Sequence, residues 1–281
     1  MEKKILIPSN FTKHAWNTLV YALNLYKDIP CTFYILNTYK VSSRISLGRN
    51  QTADLEAAKA ESEKGLQKIM QGINFRKENQ KHQFETISRN KELAEAIQEV
   101  VDAHKIDLIL MVSRGENVSI NTAFESEISE VIQKVEDCPF LVLPEQMQNF
   151  PETNREIVFP TNYKFAFKNK ELSALIEMAI NLNASIRVLY IDSLGKPLTK
   201  EQEENKESLK SYFTKVDFSF HKLTQTSVTT GIHLFIESRE SNFLALYKRR
   251  QGFFSKLFSQ KFKEDIDFNP KVPVLILKEL E

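Results

Sequence analysis

An α/β fold with two open parallel sheets is what this sequence predicts, on three grounds: short unbroken apolar runs, helical stripes between them, and a motif that occurs twice. Strands buried on both faces read as continuous apolar segments, and residues 5–7, 33–36, 108–112 and 140–143 do so. Between these runs apolar residues recur at i, i+3, i+4 and i+7, the spacing of one helix face. The opening Lys4-Ile5-Leu6-Ile7-Pro8-Ser9-Asn10-Phe11 returns as Glu156-Ile157-Val158-Phe159-Pro160-Thr161-Asn162-Tyr163. Each copy has three apolar residues, a proline, a hydroxyl residue, an asparagine and an aromatic. A chain of 281 residues has room for two domains of about 100–150 residues.

In the first copy the strand at 5–7 leads into a helix with the stripe Trp16, Leu19, Val20 and Leu23, for which Thr12 is the expected N-cap. After the strand at 33–36 comes a helix through Leu66, Ile69, Met70 and Ile73, then a weaker strand at 83–88. Leu93, Ile97, Val100 and Val101 mark the next helix, ahead of the strand at 108–112. Ile128, Val131, Ile132 and Val135 mark the last, ahead of the strand at 140–143. This alternation implies right-handed crossovers with helices on both faces. The second copy repeats it, with strands near 157–159, 186–191, 217–222, 243–247 and 274–277 and a helix through Leu172, Leu175, Ile176 and Ala179. A helix around 229–238 has poor periodicity. The closing segments also match, Cys138-Pro139-Phe140-Leu141-Val142-Leu143 against Val272-Pro273-Val274-Leu275-Ile276-Leu277. The polar stretch between the copies has the composition of a linker, so the expected division is domain 1 at 1–146, linker at 147–153 and domain 2 at 154–281.

Composition narrows the function classes. A net charge of +1 provides no global field for a polyanion, so nucleic acid is a poor partner. No apolar stretch approaches the roughly 18 residues of a membrane span, and a cytoplasmic location is expected. Cys31 and Cys138 form no CxxC pair and each opens an apolar strand, where a free thiol packs as a small hydrophobe. His14, His82, His104, His221 and His233 show no ligand spacing, so no metal site is expected. No serine or cysteine stands in a nucleophile-elbow context, and no catalytic residue is assigned. Seven glycines in the whole chain are few for any mechanism needing several glycine-rich phosphate loops.

In open parallel sheets ligands sit beyond the carboxyl ends of the strands, which directs attention to Pro8-Ser9-Asn10 and Ser113-Arg114-Gly115 and to their second-copy equivalents. With those residues, and with the stretches DLILMVSRG and SEISEVIQKVEDCPFLVLP, the whole chain resembles the universal stress protein family in a tandem two-domain form. The resemblance implies two Rossmann-like domains of the adenine nucleotide alpha hydrolase-like kind, each a five-stranded parallel sheet of order 3-2-1-4-5. Nucleotide-binding members of that family carry an Asp after the first strand and a G-x2-G-x9-G-[ST] run after the fourth. In the first copy those positions hold Asn10, Val112, Gly115, Glu125 and Ser126; in the second, Asn162, Tyr247, Arg250, Gln260 and Lys261. Glycines let backbone N–H groups reach phosphate oxygens, and a Cβ removes that approach. Glu125 would add like-charge repulsion.

The resemblance therefore implies a stress-response binding or scaffold protein with an eroded nucleotide site, not an enzyme and without a cofactor. The alternative is a weak sensor that takes ATP or AMP in domain 1 alone, through Asn10, Ser113, Gly115 and Ser126. Asn10 and Asn162 have a plainer role as turn-formers, and Ser126 as a first-turn residue of its helix. Arg249, Arg250 and Lys261, in a basic stretch interleaved with phenylalanines, are candidate anion contacts. Family members often dimerise through their fifth strands. The expectation here is that the two domains pair within the chain through 140–143 and 274–277, with a homodimer and a protein partner left open. Exposed apolar edges of that kind need a cover.

Overall fold

In the computed structural model, which describes residues 2–40, 51–76, 78–113, 126–144, 155–192, 195–249 and 271–280, strands and helices alternate through both halves. The chain forms two compact units, residues 1–112 with 130–138, and residues 113–129 with 139–281. The expected linker at 147–153 lies outside the described residues.

In the first unit, β1 (Lys3–Pro8), β2 (Cys31–Thr38), β3 (His82–Arg89) and β4 (Leu108–Ser113) lie in the order β3-β2-β1-β4. Their pairings are parallel, from Lys3 opposite Cys31 to Pro8 opposite Leu36, and Ile5 opposite Leu108. The central strands are closed to solvent: Ile5, Leu6, Phe33, Leu36, Ile109 and Leu110 have no exposed surface. The helices are α1 (Lys13–Leu25), α2 (Gln51–Asn74) and α3 (Leu93–His104). Thr12 caps α1, its hydroxyl accepting from Ala15 N at 3.3 Å. Cys31 and Cys138 are buried thiols outside any disulfide, and burial pushes the pKa of the Cys31 thiol up to about 12. A further helix, α4 (Ser126–Lys134), buries Ile128, Val131 and Ile132.

The buried face of α1 differs from the predicted stripe. Ala15, Thr18, Leu19, Tyr21, Ala22 and Leu25 are the buried residues, whereas Trp16, Val20 and Leu23 are only partly covered. Trp16 is turned sideways onto α2. There it lies so close to the backbone that a Cβ on Gly72 would stand 2.6 Å from its ring.

In the second unit, β5 (Phe140–Pro144), β6 (Glu156–Pro160), β7 (Ser185–Asp192), β8 (Phe218–Thr224), β9 (Phe243–Lys248) and β10 (Val274–Lys278) lie in the order β5-β10-β9-β6-β7-β8. All pairs from β10 to β8 are parallel. β5 and β10 pair antiparallel, with Val142 opposite Val274 and Phe140 opposite Ile276. Every residue of β10 and four of the five in β5 are buried. Apolar on both faces, these strands gain most when neither leaves its N–H and C=O row in water.

The helices are α5 (Asn169–Leu182), α6 (Lys200–Tyr212) and α7 (Val228–Arg239). The weak apolar period of α7 has a physical reason. Its buried face is Thr229, Gly231, Ile232 and Phe235. A Cβ on Gly231 would stand 2.9 Å from Ile191 Cδ1, so contact is made by the smallest side chain and not by a hydrophobic stripe.

Candidate functional site

Both halves build the same turn at the carboxyl end of their first strand. In the first, Ser9 N donates to Leu36 O at 2.8 Å and Phe11 N donates to Ser9 Oγ at 3.2 Å. Asn10 Oδ1 accepts from Thr12 N at 3.3 Å and from Thr12 Oγ1 at 2.7 Å. In the second, Thr161 N donates to Leu189 O at 2.9 Å, Tyr163 N to Thr161 Oγ1 at 3.2 Å, and Lys164 N to Asn162 Oδ1 at 3.0 Å. The aromatic that follows each asparagine has a left-handed backbone, φ 63° at Phe11 and φ 55° at Tyr163, a conformation that disfavours a residue with a Cβ. The local hydrogen bonds hold it there. Asn10 is exposed and its oxygen is engaged within the turn.

What covers the turn differs. In the first half α2 meets it with glycine: a Cβ on Gly65 would stand 2.3 Å from the Phe11 ring. Glycine inside a helix costs about 1 kcal/mol relative to alanine, and here Gly65 and Gly72, two turns apart on one face, seat the rings of Phe11 and Trp16. A cleft of about 560 Å³ remains between α1 and α2. Its walls are Phe11 and Trp16, its rim carries Lys13, Lys64, Lys68 and Glu61, and the start of α1 with Ser9 and Thr12 forms its end.

In the second half α6 closes over the turn. Gln202 Nε2 donates to Asn162 O at 2.7 Å, and Asn205 Nδ2 donates to Tyr163 O at 2.8 Å. Tyr163, only 2% exposed, packs against Tyr190 and Phe220. Burial raises the pKa of its hydroxyl far above the ordinary value.

The carboxyl end of β9 is likewise filled by the chain itself. The Phe167 ring lies between those of Phe159 and Tyr247, at 5.5 and 4.8 Å. Burial, followed by a hydrogen bond to the Glu171 carboxylate, drives the Tyr247 hydroxyl pKa upward. Glu171 also accepts from Lys168 N at 2.8 Å and from Leu280 N at 3.3 Å. Arg249 stacks on Phe165 at 3.7 Å and donates to Glu279 at 2.8 Å.

Of the residues singled out from sequence, Asn10 lies in the β1–α1 turn, and Ser113 Oγ donates to Leu143 O at 3.2 Å. Ser126 is the first residue of α4, and Arg249 is paired with Glu279. Gly115, Arg250 and Lys261 lie outside the described residues. Sequence reasoning missed the α1–α2 cleft. Its signal was the pair Gly65 and Gly72, seven residues apart within a helical stretch of a glycine-poor chain.

Largely parallel sheets flanked by helices, with matching turns at the carboxyl ends of their first strands, define a two-repeat α/β protein. The chain belongs to the universal stress protein family, which matches residues 1–144. A universal stress protein from Archaeoglobus fulgidus is similar in structure, with a TM-score of 0.67 at 13% identity, covering 99% of this chain and 97% of that one. A functionally unknown protein from Pseudomonas aeruginosa reaches a TM-score of 0.60 at 13% identity, covering 98% and 92%. At such identities the likeness concerns the fold. No curated protein matches the chain. No helix among the described residues is long and apolar enough to cross a membrane.

Proposed function

We propose that this protein is a cytoplasmic, non-catalytic binding or scaffold member of the stress response whose polyphosphate pocket has been lost in both repeats, 1–146 and 154–281. The observation that carries this reading is Tyr247. It stands where nucleotide binders of the family place the first glycine, and it is buried beneath Phe167 and hydrogen-bonded to Glu171. A phosphate chain there would have to displace an aromatic pair and a buried carboxylate, and no backbone N–H could approach it past the ring. Val112 occupies the same position in the first repeat. The antiparallel β5–β10 pairing supports a second part of the reading: the chain satisfies within itself the edge that single-domain relatives satisfy by dimerising.

Calorimetry with MgATP tests the reading. No saturable binding tighter than about 10 μM is expected, and no phosphate release. Tighter binding that Asn10→Ala abolishes would replace it with an adenine-nucleotide sensor acting through the first repeat.

A further inference from the structure

We propose that the α1–α2 cleft of the first unit binds an aryl dianion: a flat apolar body between Phe11 and Trp16, with a phosphate or a pair of carboxylates held by Lys13, Lys64 and Lys68. Its volume, about 560 Å³, suits a small organic molecule. Three ammonium groups and one carboxylate, Glu61, line it, so the unliganded rim carries two excess positive charges. Among the described residues no ion pair is made by Lys13, Lys64 or Lys68, although α2 pairs Lys59 with Glu63 one turn earlier. Lys64 and Lys68 stand four residues apart on one helix face, where like charges repel. α1 also begins with no acidic residue in its first turn, so the positive end of its dipole faces the same space without a carboxylate of its own.

These charges share the cleft with two aromatic rings, Phe11 and Trp16, and do not stand on a bare surface. Phe11 is 39% exposed and Trp16 partly so, and each ring is seated against a glycine of α2, Phe11 on Gly65 and Trp16 on Gly72. None of the cleft's lining residues is Asn10, Ser113, Gly115 or Ser126, so the inference stands apart from the fate of the polyphosphate pocket.

Trp16 is the only tryptophan in the chain, and its emission therefore reports this cleft alone. The full chain is titrated with phenyl phosphate, phthalate, phenol and inorganic phosphate, followed by calorimetry and Trp16 fluorescence. Phenyl phosphate or phthalate is expected to saturate with a Kd below about 1 mM and to shift the emission, with phenol and inorganic phosphate at least about tenfold weaker. Whichever of the two aryl dianions binds more tightly identifies the headgroup. The K64Q/K68Q variant, altered only on an exposed face, should weaken binding about tenfold or more at an unchanged melting temperature. Inorganic phosphate binding as well as phenyl phosphate, absence of binding by both aryl dianions, or indifference to K64Q/K68Q would overturn the proposal. MgATP binding that survives K64Q/K68Q bears on the polyphosphate reading and not on this one.

Discussion

The turn after β1 and the turn after β6 share a backbone and part company above it. Both use a hydroxyl residue and an asparagine to hold an aromatic at positive φ. Over the first lies α2, with glycines toward the turn and lysines beside them, and a cleft is left. Over the second lies α6, whose Gln202 and Asn205 donate to the turn's carbonyls while Leu209 is wholly buried. The same strand-end motif thus yields an open site or a sealed core according to the side chains of the second helix in each repeat. A repeat in the first-strand motif does not imply a repeat in the site.

The largest test of this contrast is to truncate the two aromatics. Tyr163→Ala should cost about 3–5 kcal/mol, as for a buried aromatic removed from a packed core. Phe11→Ala, partly in solvent already, should cost about 1 kcal/mol, both read from urea denaturation. Equal losses would show that the two turns are packed alike.

Acid should next set the second unit apart. Burial alone would raise the Glu156 pKa, but hydrogen bonds from Arg239 and Arg187 outweigh it and hold the carboxyl at about 2, against an ordinary 4.5. With the folded value below the unfolded one, the stabilisation is whole above about pH 4.5 and is lost as the pH falls toward about 2. Allowing for the partly solvated Arg239, the contribution at neutral pH is about 2 kcal/mol. Comparing denaturation at neutral pH and at about pH 3, with Glu156→Gln as the control, should show the dependence shrink in the variant.

Gln202→Ala should cost about 1–2 kcal/mol, because Asn162 O loses its donor and α6 loses its capping box. The substitution also sharpens the comparison by opening the second turn toward the form of the first. The smallest effect is expected at Thr12→Ala, about 1 kcal/mol or less for an N-cap at the exposed cleft end, measured by thermal melting.

Most of the strands and the order of helices could be read from the chain, because burial on both faces of a parallel sheet leaves continuous apolar runs and one-sided helix burial leaves a stripe. Thr12 was legible as a cap for the same reason, since its chemistry is local. The stripe of α1 was read one residue off. Periodicity marks amphipathic character but does not distinguish a face on the sheet from a flank on another helix, which is where Trp16 went. Of the site, the two asparagine turns were visible, with the turn-forming role among the readings. The cleft was not, because its aromatic and basic walls come from segments some fifty residues apart. The aromatic plug at β9 joins Phe167 to Tyr247 across a still longer interval.

By itself the sequence determined the α/β class, the two repeats and the turn chemistry at each first strand, since these depend on residues near one another along the chain. Only the tertiary structure decided that α2 leaves a basic, aromatic-walled cleft where α6 seals its counterpart. Those outcomes depend on which distant side chains meet and how much volume they leave between them, and no local pattern encodes that.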